Sequence, residues 1–529
     1  MSEIAERPPM AVSPARQSGV RGRPWLTLLA VALGVMMVAL DGTVVSVANP
    51  TIQRDLHSTL AGLQWVTNGY LLALAVLLIP GGKLGDRVGR RLVFSLGITG
   101  FALASLGCAL SSSIGMLVAF RVLQGMSGAM LMPNTLAILR ATFPPDKLTR
   151  AVGIWGATSA LAVASGPIIG GVLVQHVSWQ SIFLLNLPLG AIALATTLMV
   201  VRESREPSQG ERFDLLGLFA LTASLSLIVW ALIKAQSHAW LSGYVLAFGL
   251  AGLVALVLFV LRESRAVAPL LPLDIFRSRS VWAGTLLVVI GFLGLFGVLF
   301  FVTLYLQNVL HYSPVQTGIK MLPLTATFIV SPLVGSVLTE RLGPRAPVVV
   351  GMALLGVSFL GLTGLGVDSP YSSLWPWFIA IGAALGLIIT STTQAIVGNV
   401  SVDRGGIAGG LQSTANQLGG VLGTAVLGSI LVSSVGSVLA GKLSQAGVHG
   451  AAARAVLAQK DLVGSGIAPI SARMPQELQR AITNASDAAF LHGLHSAMLV
   501  GAGLAFVGAL IGLLVQRGAE VEPAQVAVA

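Results

Sequence analysis

Charged residues are scarce in this chain, since Asp, Glu, Lys and Arg together make up only 10% of its 529 residues. A soluble globular protein carries roughly 25% of such residues, so the composition excludes an ordinary soluble enzyme or binding domain. Hydrophobic residues instead make up 55% of the chain. This balance is typical of an integral membrane protein.

Cysteine is nearly absent from the chain, and the common catalytic motifs are missing. Cys108 is the single cysteine and lies within an apolar run, which excludes a disulfide framework and a cysteine metal site. The sequence has no Gly-x-x-x-x-Gly-Lys-Ser/Thr phosphate-binding motif, no spaced His/Cys cluster and no nucleophile elbow. We therefore expect no cofactor and no metal, and neither ATP-driven transport nor enzyme catalysis finds support.

Apolar runs recur along the whole chain, and each is about as long as a helix that crosses a bilayer, which takes roughly 20 residues. They are too long and continuous for the strands of a membrane barrel, which alternate over about ten residues. The sequence therefore predicts an all-α integral membrane protein with fourteen transmembrane helices. The predicted spans are residues 25–48, 61–80, 92–110, 114–137, 151–174, 181–201, 215–233, 241–261, 281–306, 318–339, 346–366, 374–398, 408–434 and 491–515.

In such a protein, the net charge of +11 reflects the unequal distribution of basic residues between the two sides of the membrane and does not indicate nucleic acid binding. An even number of spans places both termini on one side of the membrane. That side holds 22 Lys and Arg residues, whereas the short loops on the opposite side hold two. Because basic residues concentrate in cytoplasmic loops, we expect both termini in the cytoplasm and the chain in a bacterial inner membrane.

Asp41 lies inside the first predicted span and is the only acidic residue within any of them. A carboxylate in hydrocarbon costs at least a few kcal/mol, so one found there usually faces a cavity and has a function. We interpret Asp41 as a proton-coupling residue. The alternative is a structural carboxylate that caps backbone groups near Gly42.

Arg121 lies in the fourth predicted span, at a depth that matches Asp41. A helical rise of about 1.5 Å per residue places both side chains in the outer half of the membrane, within reach of an ion pair or a water-bridged relay. Arg121 favours the ionised carboxylate, while loss of water favours the neutral acid, so a change between wet and occluded states would load and release a proton. The alternative is that Arg121 snorkels to the outer interface.

An internal repeat divides the chain. Residues 82–91 and 336–345 both read small-x-Leu-x-acid-Arg-x-Gly-x-Arg, although Ser336 and Pro344 depart from the first copy. Transporters are commonly built from such repeats, with the substrate site between them near the midplane. The expected divisions are a tail (1–24), a six-helix half (25–201), an inserted pair with its flanking loops (202–280), a second half (281–515) that includes a long outer loop (435–490), and a tail (516–529).

The first copy of the repeat is predicted to be a conformational switch loop. It combines a turn-forming glycine with an acid that can meet the dipole of the next helix or an arginine on a neighbour. Such a latch would hold the halves together on the inner side and release during transport. The alternative is an ordinary basic loop. The switch residues are Gly82, Asp86, Arg87, Gly89 and Arg90.

The fifth predicted span is rich in glycine, with Gly166, Pro167, Gly170 and Gly171 close together. A Gly-x-x-x-Gly pattern permits close approach of helices, and an internal proline bends a helix. We interpret the segment as a bendable contact between the halves that controls leakage on the outer side. Plain helix packing is the alternative.

Polar and aromatic residues in the spans are candidates for the wall of a substrate cavity. Interhelical hydrogen bonding and placement towards lipid are the alternatives for such residues. The candidates are Tyr70, Gln124, Gln307, Gln412 and Asn416.

From about residue 25 to 434 the chain resembles the major facilitator superfamily and, more narrowly, its fourteen-helix drug:proton antiporter family. Trp179-Gln180-Ser181 departs from the family's usual Trp-Arg-Trp, next to Asn186-Leu187-Pro188. The motifs that carry the resemblance are Leu40–Val45, Gln64–Tyr70, Gly82–Arg91, Arg121-x-x-Gln124-Gly125, Gly166–Gly171 and Tyr305-Leu306-Gln307. Within the superfamily, the motif that Gly166–Gly171 resembles marks exporters.

The resemblance implies a proton-driven exporter of lipophilic or cationic small molecules such as antibiotics or antiseptics. Its expected partners are that substrate, protons and the lipid bilayer, and we expect a monomer. One alternative is an importer or symporter of a small metabolite, which the exporter motif disfavours. A further alternative is a membrane receptor or scaffold that transports nothing.

Overall fold

Helices dominate the structure, a computed structural model that describes residues 22–205, 214–235, 238, 240–266, 269–400, 405–471 and 473–516. The α-helices in these ranges are α1 (Pro24–Asp55), α2 (Leu60–Val88), α3 (Arg90–Ala109), α4 (Ile114–Thr142), α5 (Pro145–His176), α6 (Ser181–Leu184), α7 (Asn186–Val200), α8 (Leu215–Lys234), α9 (Gly243–Glu263), α10 (Arg279–Leu304), α11 (Pro314–Lys320), α12 (Leu322–Leu342), α13 (Arg345–Leu362), α14 (Trp375–Val397), α15 (Gly405–Gln445), α16 (Gly450–Ala458), α17 (Lys460–Val463) and α18 (Gln476–Gly512).

Fourteen helical segments in the described ranges are long and apolar enough to cross a membrane. Two of them combine neighbouring helices, α6 with α7 and α11 with α12, and a third joins α10 to the π-helical turn Tyr305–Val309. Helices suit a bilayer because they satisfy their own backbone hydrogen bonds. The predicted fourteen-helix fold is confirmed.

Side chains at the helix starts supply partners for backbone groups that a helix leaves unpaired. Thr59 accepts a hydrogen bond from the Gly62 amide at the start of α2. At the start of α11, Ser313 and Gln316 bond each other's backbone amides in a capping box.

We call the end of the bundle where α1 begins the tail side, and the end where α1 stops the far side.

The helices form two groups. The N-terminal helices α1–α7 pack through pairs such as α2 with α4 and α1 with α5, and the C-terminal helices α10–α18 through pairs such as α12 with α14 and α10 with α15. The groups meet where α15 runs beside α2, and where α5 contacts α11 and α12. A site that both groups share must therefore lie between these contacts.

The predicted inserted pair lies at the edge of the bundle. α8 packs on α9 and also contacts α2 and α15. Only 17% of the most apolar stretch of α9 is buried, against 72% for α1. The two helices are therefore peripheral and expose most of their apolar surface.

The predicted outer loop 435–490 is mostly helical. α15 continues to Gln445, α16 and α17 follow, and α18 begins at Gln476, so the helices that contain the predicted spans 408–434 and 491–515 extend into this segment. Hydropathy misses these extensions because helices that project beyond the membrane need not be apolar. The correction places Asp487 inside α18, where it is 5% exposed. Asp41 is thus not the only buried acid in a candidate membrane helix.

Candidate functional site

The Asp41 carboxylate lies at the centre of a buried polar network. The Arg121 guanidinium contacts its Oδ2 atom directly. Its Oδ1 atom accepts hydrogen bonds from Gln124 Nε2 at 2.8 Å and from Asn186 Nδ2 at 3.0 Å. Helices α1, α4 and α7 thus each contribute to the site, and the predicted proximity of Asp41 and Arg121 is confirmed.

Arg121 is held on several sides. It donates to the Val66 carbonyl at 3.1 Å and to Gln124 Oε1 at 2.7 Å. The Tyr70 ring lies 4.1 Å from the guanidinium carbon, close enough for a cation–π interaction. Arg121 is 1% exposed, and its Nε and Nη1 atoms are both bonded within the bundle, so the alternative of an interfacial snorkelling residue does not describe it.

A second layer fixes the two amides that bond Asp41. Ser105 Oγ accepts from Gln124 Nε2 at 2.8 Å and from Asn186 Nδ2 at 3.2 Å, and it donates to the Phe101 carbonyl at 2.7 Å. Buried polar networks with every member bonded are rigid and specific. The network therefore holds the carboxylate in one place as a hydrogen-bond acceptor.

A cavity beside Arg121 separates the two groups of helices. Its volume is about 10 Å³, which is close to the space that one water molecule needs. Arg121 of the charged pair therefore adjoins a small space that both groups line. The N-terminal wall contains Arg121, Gly42, Val45, Ser46 and Thr67, and the C-terminal wall contains Phe296, Leu299, Phe300 and Thr424.

The five residues predicted for the substrate cavity lie elsewhere. Tyr70 and Gln124 are buried partners of the Asp41 and Arg121 pair. Gln307 donates to the Val47 carbonyl at 2.9 Å, and Gln412 donates to Thr393 Oγ1 at 2.5 Å. Asn416 has a buried Oδ1 atom without a partner among the described residues. Four of the five, all but Asn416, therefore make the interhelical hydrogen bonds that were the alternative to a place in a cavity wall.

The glycine-proline segment of α5 packs tightly against both groups of helices. A β-carbon at Gly166 would lie 2.1 Å from Thr43 Oγ1 of α1, and one at Gly171 would lie 2.5 Å from the Pro314 carbonyl oxygen of α11. The Pro167 carbonyl meets Gly318 with similar closeness. Glycine is therefore required on both faces of α5, where it packs between α1 and α11.

Most of the predicted switch loop is helical. Gly82 does not form a turn, because α2 continues to Val88 and only Gly89, with φ of 137°, separates it from α3. Asp86 pairs with Arg90 at 2.6 Å, across this junction. Arg87 lies in the last turn of α2.

Glu203 takes the position at the start of α3 that the sequence suggested for Asp86. Its carboxylate accepts hydrogen bonds from the backbone amides of Arg91 at 3.0 Å and Leu92 at 3.2 Å. An acid at a helix N-terminus is stabilised by the helix dipole. The contact from this segment to the connection before α10 is made by Lys83, whose Nζ donates to the Pro269 carbonyl at 2.8 Å.

Sequence reasoning missed Asn186, Ser105 and Glu203 as members of these sites. The signal for Asn186 was present, since it is a polar residue in the apolar sixth span, two residues before Pro188. Ser105 and Glu203 offered no distinct signal, because serine is common in membrane helices and Glu203 belongs to a polar connection. Their roles depend on which helices pack together.

A bundle of fourteen apolar helices, with a buried ion pair beside a cavity between two helix groups, defines a multi-pass membrane transporter. The sequence profile of the Major Facilitator Superfamily matches residues 31–424, and the chain belongs to that superfamily. It is therefore a transporter and not an enzyme, as the sequence predicted.

Two proteins similar to this chain are named for export or efflux. The chain is 44% identical to the tetracenomycin C resistance and export protein of Streptomyces glaucescens, over 98% of this chain and 96% of the relative. It is 32% identical to the multidrug efflux pump LfrA of Mycolicibacterium smegmatis, over 92% and 96% of the two chains.

Solved transporters share the fold. The inward-facing, unoccupied crystal structure of a bacterial homologue of the human lysosomal transporter Spinster aligns with a TM-score of 0.62, over 94% of this chain and 99% of that chain. Their sequence identity is 18%, so this likeness concerns the fold alone.

Proposed function

We propose that the chain is a proton-coupled exporter of lipophilic small molecules, including antibiotics or antiseptics, and that Asp41 carries the proton. The resistance and export proteins to which it is similar support the direction and the class of substrate. The observation that carries the proton-coupling role is the burial of Asp41 against Arg121, beside a cavity shared by both helix groups.

The chemistry of the pair links protonation to conformation. An ionised Asp41 neutralises Arg121, so the pair is stable when water is excluded. A proton on Asp41 leaves Arg121 as a buried cation without a counter-charge, which is strongly unfavourable. Because Arg121 lines the cavity, the protonated state favours an arrangement in which water or substrate reaches the guanidinium.

The two helix groups would supply the alternation. In this proposal the halves 25–201 and 281–515 rock against each other as a monomer in a bacterial inner membrane, with the tail side in the cytoplasm. Gly166, Pro167, Gly170 and Gly171 form the far-side contact that must loosen when the transporter opens outward. On the tail side, the switch residues, which include Asp86 and Arg90, would hold the two halves together and release them during transport.

Transport by purified protein in proteoliposomes tests the coupling. With an imposed pH gradient, the parent chain is expected to move tetracenomycin C or ethidium and to dissipate the gradient when either probe is added. Asp41→Asn is expected to abolish both signals while the protein still elutes as a single species in detergent. Full gradient-driven export by Asp41→Asn would refute the role of Asp41.

A further inference from the structure

The segment between α15 and α18 forms a cap over the far side. We define the cap as residues 446–471, which include α16 and α17. α15 has 41 residues and α18 has 37, so at about 1.5 Å per residue both are much longer than the ~30 Å hydrocarbon core of a bilayer. The two helices therefore carry the cap beyond the membrane.

Ser465 is the point at which the cap reaches into the bundle. It is fully buried, and its carbonyl accepts a hydrogen bond from Asn308 Nδ2 at 2.7 Å. Its Oγ atom accepts a second bond from Gln53 Nε2 at 2.8 Å. Gln53 belongs to α1 and Asn308 to the π-helical turn after α10. One cap residue thus bonds both helix groups on the far side.

The rest of the cap is attached to the C-terminal helices. A β-carbon at Gly464 would lie 3.0 Å from Val432 Cγ2 of α15, and one at Gly466 would lie 3.3 Å from Asn308 Cβ and 3.6 Å from the Phe490 ring of α18. The cap is also continuous with α15 and α18 in the chain. It is therefore built on the C-terminal group, and Gln53 reaches it from the N-terminal group.

We propose that Ser465 and Gln53 form a clamp that holds the far side closed and opens once in each transport cycle, while the bond between Ser465 and Asn308 persists. This inference rests on the proposed function, because alternating access requires α1 and α10 to separate on the far side. Ser465 and Gln53 are positioning residues, since they set which side is open and do not contact the proton-carrying pair.

The chemistry of the clamp suits repeated opening. Gln53 Oε1 is buried without a hydrogen-bond partner in the described structure, and a buried acceptor that lacks a partner destabilises the closed state. Opening exposes this oxygen to water and gives it a partner. The clamp therefore combines one favourable bond with one unpaired group, which keeps the closed and open states close in free energy.

Reversible cross-linking tests the clamp. The experiment uses the full chain with Cys108→Ala, since Cys108 is the single native cysteine, reconstituted with tetracenomycin C or ethidium as the probe. The test pair is Gln53→Cys with Ser465→Cys, joined by a short, reducible bifunctional methanethiosulfonate. The matched control pair is Gly464→Cys with Val432→Cys, which joins the cap to its own helix group. Gly464 has a helical φ of −62°, so the backbone tolerates a side chain there.

We expect cross-linking of the test pair to reduce export at least tenfold and reduction of the cross-link to restore it, while the control pair exports normally when linked. Export by both linked pairs would show that the clamp does not need to open. Loss of export in both would show that the cap moves relative to α15. Absence of export in the Cys108→Ala parent, with the unmodified chain also inactive, would instead contradict the proposed function.

A labelling rate separates the clamp from a merely structural contact. In a Ser46→Cys variant of the Cys108→Ala chain, the reporter thiol would lie in the wall of the cavity between the helix groups and would leave the clamp intact. In this background, Gln53→Ala is expected to increase the rate of reaction with a membrane-impermeant maleimide at least threefold, because the far side opens more often. The labelling rate of the conservative Gln53→Asn variant is expected to lie between the rates of the variant with native Gln53 and the Gln53→Ala variant. An unchanged rate in Gln53→Ala would contradict the proposal.

Discussion

Asp41 and Asp487 are two carboxylates buried in candidate membrane helices, 1% and 5% exposed, but their surroundings differ. Asp41 receives donors from α4 and α7, including the Arg121 guanidinium. No hydrogen bond or ion pair reaches Asp487 from any described residue. Burial is therefore common to both acids and does not distinguish them. The donors around Asp41 stabilise its anion, whereas no described donor stabilises the anion of Asp487.

Removing the cation has the largest expected effect on this comparison. Arg121→Gln leaves Asp41 buried without a counter-charge, which is expected to destabilise the fold by about 3 to 5 kcal/mol and to abolish export. The double variant Arg121→Gln/Asp41→Asn is expected to recover much of the stability and none of the transport. Thermal unfolding in detergent and proteoliposome flux measure the two effects. An Arg121→Gln protein as stable as the parent would show that the pair does not stabilise the fold.

Loss of a single neutral donor is expected to have an intermediate effect. Asn186→Ala removes the hydrogen bond from α7 to Asp41 Oδ1 and leaves its other partner, Ser105, with fewer bonds. The expected cost is about 1 to 3 kcal/mol, together with roughly tenfold slower export, because a shift of about 1.4 kcal/mol changes a rate tenfold.

Ser105→Ala is the matched control for Asn186→Ala. It removes a partner of the same amide without touching the carboxylate, so its effect on export is expected to be smaller. The initial rates of flux in the two variants, compared at equal protein per vesicle, show whether the direct bond to Asp41 or the second layer matters more for export. A larger loss in Ser105→Ala would mean that the second layer, and not the direct bond, controls Asp41.

The pairing of Asp41 with Arg121 was accessible from the sequence because a helix has a fixed rise per residue, so depth can be counted from the ends of the spans. The fourteen spans were accessible for a related reason, since hydropathy reports contact with lipid. Asn186 was not assigned because a sequence does not specify which faces of α1, α4 and α7 meet.

Segments outside the hydrocarbon were predicted less well for the same physical reason. The far-side extensions of α15 and α18 are polar enough to resemble a loop, which concealed Asp487 and the cap. Gly82 was taken for a turn because glycine favours turns, but α2 continues through it and the turn falls at Gly89. Local composition thus predicts position in the membrane better than it predicts where a helix ends.

Replacement of Asp487 has the smallest expected effect and tests the comparison from the opposite side. A buried polar group without a hydrogen-bond partner opposes folding, so the near-isosteric Asp487→Asn removes nothing that the described contacts use. Export of tetracenomycin C or ethidium is expected to stay within about twofold of the parent, and the melting temperature to be equal or higher, because a neutral amide costs less to bury than a carboxylate. Loss of gradient-driven export in Asp487→Asn, with an unchanged melting temperature, would mean that a carboxylate without donors also takes part in the cycle. The hydrogen-bonded environment of Asp41 would then not be what distinguishes a proton carrier in this protein.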